Sequence, residues 1–148
     1  TNMGPMIDPA MYREYYKPFH KKMWAKVKEL APHLKIQLHC CGGIEPFLDD
    51  LIDAGLDMIN PVQINAAGMN PQLLKSKYQN KMCFWGGGCN TQEILNMKTP
   101  DEVEEHVKQL LDIWKPGGGY VFQQVHNIMA DVPTENIIRM FETVEKYR

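Results

Sequence analysis

The sequence predicts an α/β fold made of parallel βα units. Blocks with helical periodicity alternate with short apolar blocks, and glycine or proline breaks stand between them. Strand centres near Ile36, Ile59, Phe84 and Phe122 lie 23, 25 and 38 residues apart, room each time for a right-handed helical crossover. The 148 residues, 44% of them hydrophobic, suffice for one domain with a core. No repeat, low-complexity run or linker divides them, so the expected domain is residues 1–148. Four βα units serve an open sheet or half of an eight-stranded barrel, and periodicity does not choose.

In chain order, Pro9–Leu30 reads as a helix with the stripe Met11, Tyr15, Phe19, Met23, Val27 and Leu30. Asp8 is its candidate N-cap, and Pro18 predicts a kink or two shorter helices. Leu34–His39 alternates as a strand. Phe47, Leu48, Leu51 and Ile52 mark a short helix that Gly55 ends. Asp57–Pro61 is a second strand, followed by the loop VQINAAGMN and a helix from Pro71 to about Tyr78. Lys81–Trp85 is a third strand, which runs into Gly86-Gly87-Gly88. A short helix is expected at Thr91–Met97, then a longer one capped by Thr99 with Val103, Val107, Leu110, Leu111 and Trp114 on its apolar face. Tyr120–Val125 is the fourth strand, and Pro133–Tyr147 the last helix, with Ile137, Met140, Phe141 and Val144 inward.

Sixteen Lys plus Arg against eighteen Asp plus Glu leave a net charge of −2, so no dominant basic footprint for nucleic acid or an anionic membrane exists. No apolar run reaches the roughly 18 residues of a spanning helix. Thr1–Pro9 lacks the order of a signal peptide. A cytoplasmic location is expected, with no nucleic-acid or membrane partner. Four cysteines, two of them adjacent, then read as free thiols or metal ligands rather than a disulfide scaffold.

In parallel sheets, sites form where strands run into the following loops. Four such segments carry the chemistry: His39-Cys40-Cys41-Gly42-Gly43, Asn60-Pro61-Val62-Gln63, Gly86-Gly87-Gly88-Cys89-Asn90 and His126-Asn127. Asn60, Gln63 and Asn127 are the candidate substrate-binding residues. In extended chain His39 and Cys41 point the same way, and with Cys89, His126 or both they would offer the imidazole and thiolate donors that suit zinc. The alternative is two small buried cysteines beside a structural histidine. Gly86–Gly88 has neither dinucleotide-fold nor P-loop spacing, so a strand-end turn is expected there rather than a phosphate cradle. His126, beside Asn127 and Asp131, is the candidate catalytic acid–base, against the alternative of bonding a loop carbonyl. His20, His33 and His106 are expected to be solvated or capping residues.

Four blocks make the sequence familiar: PAMYREYYKPFHKKM, HCCGGIEPFLDDLIDAGLDMINPVQINAAGMNPQLLK, FWGGGCNTQEIL and GGGYVFQQVHNIMADVPTENI. From about Met6 to Tyr147 the chain resembles the uroporphyrinogen decarboxylase superfamily, most closely its decarboxylase-like branch grouped with cobalamin-dependent methyltransferases. The resemblance implies the C-terminal half of a (β/α)8 TIM-type barrel, completed by an N-terminal half-barrel or by self-association. It also implies a choice of chemistry. In the methyltransferase branch an H-x-C pair and a later cysteine hold zinc, which activates a thiol to take a methyl group from a corrinoid, so that a small-molecule or corrinoid-bound substrate is implied. His39 and Cys41 match the pair; the later cysteine falls near His126, a departure, and Cys89 is the other candidate. In the true decarboxylases no metal acts, and a histidine matching His126 contacts the porphyrinogen. H-x-C favours the methyltransferase branch. A half-barrel subunit without catalysis is the third reading.

Overall fold

The computed structural model describes residues Thr1–Arg148, and its four strands form one parallel sheet in the order β1-β2-β3-β4. β1 is Gln37–His39, β2 Met58–Asn60, β3 Cys83–Trp85 and β4 Tyr120–Val121. This consecutive order has no reversal. A doubly wound open sheet would place a switch point in it, so the winding is that of a barrel sector.

The strands are shorter than the sequence pattern predicts, because the ladder runs only as far as both partners continue. β2 stops where Pro61 offers no N–H. Ahead of β1, Ile36 N–H donates to the Asp57 carboxylate at 2.7 Å rather than to a strand.

Helices fill the intervals. α1 (Pro9–Met11) is capped by Asp8, which accepts from Ala10 N–H at 2.7 Å. A π-helical turn, Tyr12–Tyr16, joins it to α2 (Lys17–Leu30), so Pro18 is accommodated at the head of α2 by a widened turn rather than by a break. α3 (Glu45–Ala54) ends at Gly55, whose φ of 109° suits a residue without Cβ. α4 (Pro71–Tyr78) is capped by Asn70, and α5 (Pro100–Trp114) carries a reciprocal Thr99–Glu102 capping box. α6 (Thr134–Tyr147) closes the chain. Thr91–Met97 is a correction: it forms consecutive turns, not a helix, with Asn90 drawing the segment in by accepting from Gln92 and Glu93 N–H.

The stripe read on the first helix is also corrected. Met11, Tyr15, Phe19, Met23 and Leu30 are exposed, whereas Tyr12 and Trp24 are buried. The π-turn and the contacts with α3 set the buried face, and hydrophobic spacing alone could not reveal it.

On one sheet face Ile59 and Phe84 are wholly enclosed with Leu48, Leu74, Tyr78 and Trp114 beneath the helices. A second cluster packs α5 on α6 through Val103, Val107, Leu111 and Met140. No helix is long and apolar enough to cross a membrane.

Asp50 pins the π-turn to α3, accepting from Arg13 Nε at 2.7 Å and Lys17 Nζ at 2.8 Å. Burial pushes its carboxyl up, but the bonds from Lys17 and Arg13 more than reverse this and hold it below the usual value. Its stabilisation is therefore present above the unfolded value of about 3.9 and lost as pH falls through the lower folded one. Asp50→Asn is expected to lose about 1–3 kcal/mol in urea denaturation at pH 7 and to flatten the acid limb of the stability curve.

Candidate functional site

The sequence brings its chemistry to the end of β1. His39 is the strand's last residue, registered against Asn60 on β2, and Cys41 follows two residues on. Both His39 and Cys41 are exposed. His39 Nε2 stands 3.6 Å from Cys41 Sγ, and its Nδ1 stands 2.8 Å from Asn60 Oδ1.

Asn60 fixes which nitrogen carries the proton. Its Nδ2 donates to the Trp85 carbonyl at 3.1 Å and to Gln123 Oε1 at 2.9 Å. A carbonyl only accepts, so the amide nitrogen faces Trp85 and the amide oxygen faces His39. Nδ1 is therefore the N–H donor. The Nε2 lone pair is left towards Cys41, whose thiol donates to it in the neutral pair. A histidine held at one nitrogen by a hydrogen-bond acceptor and bare at the other is the arrangement of metal-ligating imidazoles. Tetrahedral zinc with Zn–S of about 2.3 Å and Zn–N of about 2.0–2.1 Å separates sulfur from nitrogen by about 3.6 Å. Two donors thus fit. A third does not join them: no three His, Cys, Asp or Glu side chains group as a metal-holding set, here or elsewhere in the chain.

Gln123 escaped the sequence reading. Its only signal was its place two residues beyond Val121, on the strand face that carries Asn60. Asn60 and Gln63, expected to bind substrate, are 6% and 7% exposed and engage internal partners instead. Gln63 Oε1 accepts from Gly42 N–H at 2.7 Å and its Nε2 donates to Asn2 at 2.6 Å, bracing the loop that carries Cys41. Both position the site.

Beside the pair lies a cavity of about 280 Å³. Its walls include Ile7, Leu38, Ile44 and Phe47, with Tyr12 and His20 as polar groups and His39 and Cys41 at the exposed rim. Tyr12 Oη is 3.0 Å from His20 Nδ1, and the His20 ring stacks on Trp24 with centroids 4.7 Å apart. Burial pushes the Tyr12 phenol up to about 12, reinforced by the Asp50 charge and opposed by Lys17, while burial lowers His20. The phenol therefore keeps its proton, with its oxygen in hydrogen-bond reach of His20 Nδ1. His20 is not the solvated residue expected of its helix.

Cys89 and His126 do not join the pair. Cys89 is enclosed among apolar side chains of the second cluster, and burial pushes its thiol up to about 12, away from the thiolate a metal needs. Exposed His126 lines a separate hollow of about 320 Å³ with Asn127, Asp131 and Thr91. Gly86 and Gly88 N–H groups donate to Val121 and Gln123 carbonyls, so the glycine run is a strand-end turn and not an anion cradle.

His33 is exposed as expected, but His106 is not solvated: its Nε2 accepts from Asn90 N–H at 3.2 Å. Burial lowers the His106 imidazole. The folded state then binds fewer protons than the unfolded one below about pH 6.5, so stability is lost as pH falls from there through the depressed folded value. The melting temperature should drop across that window, and less steeply in His106→Gln, whose amide oxygen can accept the same N–H.

The profile described as Uroporphyrinogen decarboxylase (URO-D) matches residues 2–147. The chain is 26% identical over 144 residues to a uroporphyrinogen decarboxylase of Wolinella succinogenes, covering 95% of this chain and 38% of that protein. It is 26% identical over 143 residues to one of Geotalea daltonii, covering 97% and 39%. Its fold is similar to that of a methyltransferase from Methanosarcina mazei, with a TM-score of 0.73 at 18% identity, over 99% of this chain and 40% of that one. The chain thus spans about 40% of the length of these proteins.

Proposed function

Because this chain belongs to the uroporphyrinogen decarboxylase family, we propose that it works as a zinc-dependent methyltransferase of that family, moving a methyl group between a corrinoid and a thiol. The observation that carries the reading is the His39–Cys41 pair, 3.6 Å apart, with His39 held by Asn60 in the tautomer that leaves Nε2 bare. His39 and Cys41 supply two ligands. The third ligand would be exposed His126, which would have to come over from its separate hollow after β4, rather than enclosed Cys89. When bound, zinc supplies the Lewis acidity that makes a coordinated thiol available as thiolate at neutral pH.

The chain's own residues do the rest. Asn60 keeps the Nδ1 proton in place, Gln123 holds Asn60, and Gln63 braces the Cys41 loop. As ligands, Cys41 would bind as its thiolate and His39 through the lone pair that its Nε2 already presents. On this reading the partner that completes the barrel is an N-terminal half-barrel or a second copy, and the methyl carrier approaches the strand ends.

Elemental analysis of protein purified without chelator tests the proposal. About one zinc per chain is expected, lost in Cys41→Ser and bound more weakly in His126→Ala. Zinc-free protein whose Cys41→Ser variant is indistinguishable from wild type overturns it. The second reading, porphyrinogen decarboxylation, draws on the names of the relatives at 26% identity. It predicts octacarboxylate porphyrin binding that depends on His126 and not on Cys41.

A further inference from the structure

The half-barrel carries one helical rod more than it has strands. α1, the π-turn and α2 form a continuous rod ahead of β1, α3, α4 and α5 fill the three crossovers, and α6 follows β4. In an eight-stranded barrel each gap between neighbouring strands takes one helix on the outside. The rod of α2 therefore belongs over the gap before β1, and α6 over the gap after β4. Both strands have a free edge there, and both helices have a bare flank. On α2, Phe19 and Leu30 are each 73% exposed and Met23 is 53% exposed, and they line an open hollow of about 720 Å³ bordered by Lys22 and Lys26. On α6, Ile138 and Phe141 are exposed. Apolar patches of this kind mark surfaces that another polypeptide covers. A second copy of this chain does not fit them. Setting β4 of one copy beside β1 of another puts α6 of the first and α2 of the second over the same gap, and two copies bring ten rods to eight gaps. What the barrel lacks is four strands with only the three helices between them. The relatives at 26% identity have room for that segment, since this chain covers 38% and 39% of them.

We infer that the two bare flanks are docking faces for an N-terminal half-barrel of four strands and three helices that begins and ends on a strand. Its last helix lies on Phe19, Met23 and Leu30, and its first lies against Ile138 and Phe141. Lys22 and Lys26, along the edge of the α2 hollow, suit acidic residues on that last helix. Of the two partners open in the functional reading, this leaves one. The choice rests on helix number and exposed faces rather than on zinc, so either can fail without the other.

Sedimentation velocity in buffer with a metal chelator tests it, the probe being the N-terminal part of the Wolinella succinogenes relative that this chain does not cover. A one-to-one complex with this chain is expected. Met23→Asp on α2 and Phe141→Asp on α6 change exposed residues, so circular dichroism should stay as in wild type while each variant binds the probe at least about tenfold more weakly. In Phe19→Trp, the emission of the new indole should move to shorter wavelength when the probe is added. A dimer of this chain that persists with the probe present and is broken by the same two substitutions would show that a second copy occupies the flanks, and would overturn the inference. Absence of any complex, or a complex that both folded Asp variants form as tightly as wild type, overturns it as well. Zinc is withheld throughout, so none of these outcomes bears on the metal reading.

Discussion

Trp114→Ala is expected to lower the unfolding free energy by about 3–5 kcal/mol, a large share of the roughly 5–15 kcal/mol of an ordinary domain. Trp114 is fully buried where α5 meets the sheet. Its ring stacks on Tyr120 at 5.5 Å and leans on Phe84 at 4.9 Å, and its Nε1 donates to the Gly87 carbonyl at 3.2 Å. Truncation removes the ring and leaves that carbonyl without its donor, so cavity and unsatisfied-acceptor costs combine. Lys75, buried beside it, holds the helix end by donating to the Trp114 and Gly118 carbonyls at 2.7 and 2.6 Å. Urea denaturation reads the effect; a loss under about 1 kcal/mol would show that α5 is held to the sheet by other contacts.

The second large effect concerns function. Asn60→Leu keeps the size of the side chain and both proposed zinc donors, yet it frees His39 Nδ1 and removes the donor to Gln123 Oε1. Zinc affinity is expected to fall about 10–100-fold, as for other outer-shell partners of ligating histidines. Competition with a chromogenic chelator measures it. Asn60→Asp, which retains an acceptor facing Nδ1, should restore most of the affinity. Equal affinity in wild type and Asn60→Leu would mean that His39 does not act through Nε2.

Much of the fold is legible because the signals are local. Asp8 and Thr99 cap helices, Gly55 ends one, and the strand spacing demands parallel crossovers. Ladder length is not local: β4 pairs over two residues where Tyr120–Val125 alternates for six, because pairing depends on the neighbour. Thr91–Met97 carries helical spacing and Asn90 caps its first N–H groups, but the backbone bonds that follow, Leu95 N–H to the Asn90 carbonyl and Met97 N–H to the Ile94 carbonyl, do not continue an i→i+4 ladder. At the site, the H-x-C spacing locates the pair, since an extended chain must place residues 39 and 41 on one side. The reach of Cys89 and His126 depends on how loops pack, which spacing does not encode. Asn60 and Gln63 stand at the site with internal hydrogen-bond partners that the sequence did not reveal: a polar residue at a strand end reads the same whether it faces a ligand or braces a loop. His20 was missed because its partner lies eight residues away on the same helix, an interval at which ordinary helical neighbours do not meet.

That interval has an angular explanation in the π-turn at Tyr12–Tyr16. Each α-helical residue advances about 100°, so eight of them overshoot two full revolutions by about 80°. A turn closed by i→i+5 bonds takes in one residue more than an α turn. The eight-residue interval then counts as about seven steps, within about 20° of two revolutions. The widened turn thus works as a phase adjuster, swinging Tyr12 round the helix axis until its hydroxyl stands over His20 and both rings face the cavity. Removing one residue from Arg13–Tyr16 would leave seven ordinary α-helical steps between Tyr12 and His20 and keep the two rings in phase, whereas α-helical winding of all eight would rotate Tyr12 off the pocket, so the widened turn is what reconciles this segment's length with the polar end of the cavity.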